Sequence, residues 1–233
     1  MNIVLLGATG TTGQLLLALA LRQGHRVTAF GRNALQLPAQ PNLQRVQGEV
    51  EDCAHLQAVF AGADAVISCL GQRPSLRAFC LGSHFQRQSL PAIIAAINAA
   101  QVPRFVLQSS YGAGASAAQA GWLLRTFLYG LVAKKMFDDK AIAEQALAQC
   151  QANWTAVYPV TLVQKPAMAA VDMPPLTEVR SVPGVPRLPF ANVAAALLDL
   201  ATQTLGQAPQ HAQHAEPQRG EKLLLTPAGS WRK

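Results

Sequence analysis

Residues 2–13 read NIVLLGATGTTG, an apolar run that passes directly into a turn with glycines at its first, fourth and seventh positions. The apolar run predicts a buried strand, and the glycines permit a sharp turn that brings backbone N–H groups close to phosphate oxygens. A helix predicted to begin near Thr12 and to end at Gly24 adds partial positive charge at the same point. An ordinary tight turn is the alternative, but the context on both sides favours binding of a dinucleotide pyrophosphate. The residues expected to bind it are Gly7, Thr9, Gly10, Thr11, Thr12 and Gly13.

The composition indicates a single domain over residues 1–233. Half of the residues are apolar, and no linker-like stretch divides the chain. No run of about 18 uncharged apolar residues lacks turn signals, so neither a secretory leader nor a membrane span is expected. The four cysteines are scattered, which is typical of reduced thiols, and neither they nor the histidines have the spacing of a metal site. We therefore expect a cytoplasmic protein with no membrane partner and no metal.

The net charge of +7 raises the question of nucleic-acid binding. Lys and Arg are dispersed rather than gathered on one predicted helix face, and no helix-turn-helix or aromatic-basic stripe is recognisable. Attraction of a phosphorylated small molecule explains part of the excess equally well. We expect a small-molecule substrate and no nucleic-acid partner.

Beyond the first unit, short strands and helices alternate along the chain. Near-continuously apolar strands separated by helices require a parallel sheet covered on both faces. The predicted fold class is therefore α/β, a doubly wound parallel sheet of the Rossmann type, whose ligand site lies where the strand order reverses. The proline-rich residues 163–190 are expected to form a small irregular cap on the substrate side, and residues 222–226 a final edge strand. Predicted strands cover residues 26–30, 43–48, 63–69, 104–108 and 155–158, and predicted helices cover residues 54–60, 84–100 and 192–202, with a further helical region up to residue 149.

The residues after the second predicted strand, Gly31 and Arg32, indicate which nucleotide is bound. An acidic side chain there would bind both ribose hydroxyls of NAD and repel a 2′-phosphate. Arg32 instead offers a planar, permanently charged group to that phosphate, and Gly31 leaves room for it. NADP is therefore favoured over NAD, the alternative being that Arg32 is a solvated loop residue. After the third strand, Asp52 is expected to cap the next helix, and Val50 to pack on adenine.

In order and spacing, several blocks of the chain resemble the short-chain dehydrogenase/reductase superfamily, in its atypical branch of NAD(P)H-binding proteins related to biliverdin reductase B/flavin reductase and NmrA-like proteins. The resemblance implies a Rossmann-like fold over most of the chain. It also implies that Leu70 and Gly71 flank the adenosine and that Ser109 belongs to the cofactor site. Tyr158, Pro159 and Val160 would line the nicotinamide side. The blocks are residues 7–13, 31–32, 48–52, 108–110 and 153–159.

A tyrosine that the wider superfamily uses is missing. Members with full catalytic equipment carry a serine or threonine after the fifth strand and a Tyr-x-x-x-Lys pair on the following helix. Lys140 aligns with that lysine, but Met136 stands in the place of the tyrosine, and a thioether cannot donate a proton. Tyr129 is no substitute, because Ala133 stands where its lysine would be required. Tyr111 is the remaining candidate, the alternative being that it is a packing residue.

Two further side chains are candidates for orienting the reactants. Ser110 is expected to hydrogen-bond a substrate oxygen or the cofactor carboxamide, or else to satisfy backbone at the strand end. Lys140 carries donors and a charge suited to the nicotinamide ribose hydroxyls. The alternative for Lys140 is pairing with Asp139 or Glu144 on an exposed helix face.

Without the tyrosine, the favoured function is an NADPH-dependent reductase. Its hydride would go to a small conjugated acceptor, such as a flavin or a quinone, that takes its proton from water. A non-catalytic NADP(H)-binding redox sensor is the alternative. A sugar-nucleotide epimerase or dehydratase is a weaker one, because those reactions need the tyrosine for proton transfer. The apolar residues 122–129 are a candidate homodimer face, or else they pack on the sheet.

Overall fold

The structure of the protein, a computed structural model, describes residues 1–71, 85–112, 116, 139, 142–203 and 220–233. None of the helices in these ranges has the length and apolarity needed to cross a membrane. The strands are β1 (Asn2–Leu6), β2 (Arg26–Phe30), β3 (Leu43–Val46), β4 (Ala65–Ser68), β5 (Arg104–Gln108), β6 (Asn153–Pro159), β7 (Thr161–Val163), β8 (Val171–Asp172), β9 (Arg187–Pro189) and β10 (Glu221–Pro227). The α-helices are α1 (Thr11–Arg22), α2 (Cys53–Phe60), α3 (Phe85–Ala99) and α4 (Phe190–Thr202), and short 3-10 turns cover Ala34–Gln36, Gln145–Gln149 and Leu176–Glu178.

The main sheet has eight strands in the order β3-β2-β1-β4-β5-β6-β10-β8. All neighbouring strands run parallel except β8, which is antiparallel to β10. The chain proceeds from β1 to β2 and β3 on one side, and then crosses to β4, β5 and β6 on the other. Leu6, at the carboxyl end of β1, lies opposite both Phe30 of β2 and Ser68 of β4. The order therefore reverses beside the carboxyl end of β1, which is where open α/β sheets bind their ligands.

The hydrophobic core lies on both faces of this sheet. Strand side chains such as Leu5, Ile67 and Phe105 are fully buried, because α1 packs beside α4 and α2 packs beside α3 to cover the two faces. Complete burial of a side chain of this size stabilises a fold by about 1.5–3 kcal/mol. The predicted α/β class with a doubly wound, mostly parallel sheet is confirmed.

Two helix ends follow the local signals in the sequence. α1 ends just before Gly24, whose φ of +80° is the left-handed conformation that glycine adopts most readily at such a position. α2 is capped by Asp52, whose Oδ1 accepts a hydrogen bond from the backbone N–H of His55 at 3.0 Å. That bond satisfies one of the amides left open in the first turn of a helix.

The C-terminal part of the fold differs from the prediction at one point. β10 is not an edge strand, because it lies between β6 and β8. The strand that displaces it from the edge, β8, comes from the proline-rich cap and is only two residues long, too short to leave a periodic signal. The cap also contains β9, which pairs with β7 in a separate two-stranded sheet.

Several predicted features lie outside the described residues. They include the candidate dimer face at residues 122–129, Met136 and Lys140. Of the helical region predicted up to residue 149, the structure describes a 3-10 turn over Gln145–Gln149 and a helical stretch at residues 142–144 just before it.

Candidate cofactor-binding cleft

A cleft of about 1180 Å³ opens at the carboxyl ends of the central strands. Its walls come from the loops after β1, β2, β3, β4 and β5, so the sheet topology brings together segments that are far apart in sequence. Volumes of this size are ample for a dinucleotide or a similarly large ligand. The lining residues include 7–12, 30–34, 48–50, 69–71 and 108–110, together with Phe85, Gln86, Asp139, Leu162 and Phe190.

The glycine turn, residues 7–13, packs so tightly that glycine is required at two of its positions, Gly7 and Gly13. A Cβ added at Gly7, where φ is +83°, would lie 2.8 Å from the carbonyl oxygen of Cys69. A Cβ added at Gly13 would lie 2.1 Å from the carbonyl oxygen of Gly7, so α1 rests directly on the turn. The turn is closed by a hydrogen bond from Gly10 N–H to Gly7 O at 3.0 Å. Burial raises the pKa of the neighbouring Cys69 thiol to about 12, which keeps this wall uncharged.

The amino end of α1 is open toward the cleft. Gly10 caps the helix with an extended backbone, and no side chain of the described residues supplies a capping hydrogen bond. No acidic residue occupies the first turn, while Thr11 and Thr12 line the cleft. Unpaired amides and the positive end of a helix dipole form a ready site for an anion, so these residues fit a pyrophosphate.

Beyond β2, the cleft wall is basic. Arg32 is exposed and lines the cleft, and it has no hydrogen-bond or ion-pair partner among the described residues. The segment after β3, the strand next to β2, contributes the buried side chain of Val50 and the exposed Glu49. This arrangement offers a guanidinium fork for a phosphate and an apolar contact for a base.

The wall beyond β5 contains a buried hydrogen-bonded array of Ser109, Glu144 and Tyr158. Ser109 Oγ donates to Glu144 Oε1 at 2.7 Å, and Tyr158 Oη donates to Glu144 Oε2 at 2.6 Å. The exposed fractions are 5% for Ser109, 7% for Glu144 and 0% for Tyr158, of which only Ser109 lines the cleft. Burial, followed by the charge and the hydrogen bond of Glu144, raises the pKa of Tyr158 far above its ordinary value.

Most of the residues expected to bind the cofactor do meet in the cleft. Some described residues do not reach its wall. Gly13 packs against the backbone of Gly7 and Ala8. The hydroxyl of Tyr158 points to Glu144 in the interior. Tyr111 is buried, and its backbone N–H donates to Pro159 O at 2.9 Å, which continues the pairing of β5 with β6. The residues that line the cleft as expected are Gly7, Thr9, Gly10, Thr11, Thr12, Arg32, Val50, Leu70, Gly71, Ser109 and Ser110, whereas Tyr111, Gly13, Tyr158, Pro159 and Val160 are not among the described lining residues.

Asp139, which the sequence suggested only as a possible partner of Lys140, is a wall residue of the cleft. Its side chain is 1% exposed and accepts from the backbone N–H of Gln86 at 2.9 Å and from Arg87 Nε at 3.1 Å, so it caps α3. Gln86 in turn donates from Nε2 to Leu70 O at 3.0 Å. Both Asp139 and Glu144 are thus buried and hydrogen-bonded within the fold. The alternative considered for Lys140 placed these two acids on an exposed helix face, and the structure does not place them there.

Comparisons with known proteins identify the family and the fold of the chain. The family model described as NAD(P)H-binding matches residues 7–204, and the chain belongs to that family. The fold of this chain is similar to that of the oxidoreductase ylbE from Lactococcus lactis. The two share 18% identity with a TM-score of 0.75, and the match covers 99% of this chain and 93% of ylbE. A short-chain dehydrogenase/reductase from Veillonella parvula, solved with NADP, is similar at 16% identity, a TM-score of 0.76, and coverage of 98% and 95%.

ChuY from Escherichia coli O157:H7, an anaerobilin reductase, is similar at 21% identity, a TM-score of 0.71, and 98% coverage of both chains. At these identities the solved structures establish the fold. Together with the family match, they bear out the predicted resemblance in two respects, the NAD(P)H-binding family and the Rossmann-like fold.

Proposed function

We propose that the protein is an NADPH-dependent reductase that transfers hydride to a small conjugated acceptor. The observation that carries the proposal is that an open helix end, an arginine and two serines line one cleft at the reversal point of the sheet. NADPH supplies the hydride when it is bound. The protein supplies binding and orientation.

The adenosine half is bound by residues on the β1 and β2 side. Backbone amides of the glycine turn and the first turn of α1 bind the pyrophosphate, because they are open donors at a positive helix end. Arg32 binds the 2′-phosphate through two parallel hydrogen bonds. The presence of NADP in the similar Veillonella parvula structure supports this choice of nucleotide.

The acceptor occupies the other end of the cleft. Phe85, Leu162 and Phe190 supply apolar surface there, which suits a flat conjugated molecule. Ser110 hydrogen-bonds a polar atom of the acceptor, and Lys140 binds the nicotinamide ribose hydroxyls. The activity of ChuY as an anaerobilin reductase supports a conjugated acceptor. Since neither Tyr111 nor Tyr158 is among the described lining residues, the acceptor takes its proton from water.

The Arg32→Asp variant tests the choice of nucleotide. An aspartate repels the 2′-phosphate and accepts from ribose hydroxyls, so NADPH affinity falls at least about tenfold, the weight of a charged hydrogen bond, while NADH affinity rises. Arg26→Asp is the matched control, because Arg26 is an exposed arginine at the start of β2, at the end of that strand away from Arg32. Equal nucleotide preference in the wild type and Arg32→Asp would contradict the assignment of Arg32.

Oxidation of NADPH in the presence of flavins, quinones and anaerobilin tests the reaction. We expect acceptor-dependent loss of NADPH absorbance with at least one member of this panel. The Gly10→Val variant is the control, because a branched side chain in the turn blocks backbone approach to the pyrophosphate and abolishes any turnover that depends on the cleft. Saturable NADPH binding without turnover across the panel would contradict a reductase.

A non-catalytic NADP(H) sensor is the second candidate. It is favoured by one observation: both described tyrosines are buried, and neither is among the described lining residues of the cleft. This function requires similar affinities for NADP and NADPH, no turnover, and a partner protein whose binding changes with the nucleotide. Turnover with any acceptor at physiological concentration would exclude it.

A further inference from the structure

The buried array determines which way the Ser109 hydroxyl points. A serine hydroxyl has one proton and two acceptor lone pairs, and Ser109 gives its proton to Glu144 Oε1. What it can still present to the cleft is therefore an acceptor. We propose that Glu144 fixes Ser109 as a hydrogen-bond acceptor for a donor group on the nicotinamide riboside half of the cofactor, an inference that rests on the proposed function.

Tyr158 keeps the array in this arrangement. Its buried hydroxyl stays protonated, because burial and the Glu144 charge raise its pKa, and it donates to Glu144 Oε2. Glu144 thus receives a separate donor at each oxygen, and Oε1 is the oxygen that receives the Ser109 proton. A charged acceptor makes both bonds stronger than neutral ones, so the direction of the Ser109 hydroxyl is set before any ligand binds.

The topology assigns Ser109 to the nicotinamide half. Dinucleotides bind across the reversal point of the sheet, with one half on each side. Arg32 follows β2, on one side of β1, whereas Ser109 follows β5, which lies beyond β4 on the other side. Two strand spacings separate β5 from β1, so Ser109 is about 10 Å from the glycine turn that binds the pyrophosphate. The donors available on that half are the carboxamide N–H and the ribose hydroxyls.

Calorimetric titration of the full chain with three probes tests the proposal. The probes are NADP, adenosine 2′,5′-bisphosphate, which lacks the nicotinamide half, and the acetylpyridine analogue of NADP, which lacks the carboxamide N–H. In Ser109→Ala we expect NADP affinity to fall about fivefold, the weight of one hydrogen bond, with bisphosphate affinity unchanged. Ser89→Ala is the matched control, because Ser89 is an equally buried serine on α3 outside the cleft lining.

The analogue separates the two donors. If the carboxamide is the donor, the wild type prefers NADP to the analogue, and Ser109→Ala loses that preference. If a ribose hydroxyl is the donor, Ser109→Ala weakens NADP and the analogue equally. If the wild type binds NADP and Ser109→Ala binds it equally well, the inference about Ser109 is overturned while the proposed function stands. A wild type that binds neither NADP nor the bisphosphate would refute the proposed function itself.

Glu144→Gln tests the role of the carboxylate. The glutamine amide satisfies Tyr158 with its oxygen and then donates its N–H to Ser109, which turns the serine proton toward the cleft. We expect NADP affinity to fall at least as far as in Ser109→Ala, with bisphosphate affinity unchanged, and the double variant to be no weaker than Ser109→Ala. The inference would be overturned if the losses of NADP affinity in the two single variants add in the double variant, or if Glu144→Gln keeps wild-type affinity.

Glu221→Gln is the control for this experiment, since Glu221 is a partly buried carboxylate at the far end of the sheet. Should Glu144→Gln not fold, the titrations of Ser109→Ala decide whether the inference holds.

Discussion

Replacement of Gly13 by alanine separates the packing role of the glycine turn from its binding role. Alanine is the best helix former, so at a helical position with free space this change would stabilise the protein by about 1 kcal/mol. At Gly13 the new Cβ would lie 2.1 Å from Gly7 O and 2.9 Å from the Cα of Ala8, which are backbone atoms that no rotamer change can move. The first distance is about 1.3 Å short of the 3.4 Å at which ordinary contact begins.

The first turn of α1 must therefore move away from β1. Overpacking of this kind costs about 1–3 kcal/mol, and the rigid backbone contact puts Gly13 at the upper end of that range, which exceeds the gain in helix propensity. We expect a net loss of about 1–2 kcal/mol and a Tm lower by roughly 2–8 °C for a chain of this size. Because the amides of Thr11 and Thr12 move with the helix, NADPH affinity falls as well.

Gly10→Ala is the matched control for this experiment. The Cβ added there meets one atom within 4 Å, Gly7 O at 3.3 Å, and the residue lines the cleft. We expect a Tm within about 2 °C of the wild type, because an N-cap change from glycine to alanine costs only a fraction of a kcal/mol, yet weaker NADPH binding, because the methyl group meets the phosphates. Thermal unfolding and calorimetric titration measure the two effects. Wild-type stability in Gly13→Ala would refute the inferred packing of α1 on the turn.

Two further predictions concern stability away from the cleft. Asp52→Ala removes the acceptor for the His55 backbone N–H and should lower the free energy of unfolding in urea by about 1 kcal/mol. Glu51→Ala, at an exposed neighbouring position, should leave that free energy unchanged. Equal losses in the two variants would contradict the role of Asp52 as the helix cap. Burial raises the pKa of Glu221 from 4.5 to about 7, against the opposing effect of Arg104. Between these pH values the unfolded chain releases a proton that the folded chain keeps, so this residue makes stability fall as pH rises through that window. The unfolding free energy of Glu221→Gln minus that of the wild type should therefore increase from about pH 5 to about pH 7 and then level off. A pH-independent difference would contradict the raised pKa of Glu221.

The fold and one half of the site follow from local sequence. The glycine turn, α1 and the strands around it are each encoded within about a dozen consecutive residues, and Arg32 lies in the cleft because it directly follows β2. Topological rules for parallel strands then bring these segments to one edge of the sheet. Signals of this kind depend on neighbours in the chain, so they can be seen without a structure.

The buried carboxylates could not be predicted in this way. Asp139 caps a helix by accepting from Gln86, 53 residues earlier in sequence, and Glu144 binds a serine 35 residues away. In the sequence both acids sit beside Lys140 in a stretch whose charges are typical of an exposed helix, and only tertiary contacts bury them. Tyr158 shows the same limit, because the motif around it indicated the cofactor side while the fold directs its hydroxyl to Glu144.

Calorimetric titration of the purified wild-type chain with NADPH and with NADH, at the same salt concentration, tests the central claim most directly. The account predicts one nucleotide bound per chain and tighter binding of NADPH than of NADH, because open amides at α1 bind the pyrophosphate and Arg32 recognises the additional phosphate. Absence of heat with both nucleotides would contradict the site, and tighter binding of NADH would contradict the role of Arg32.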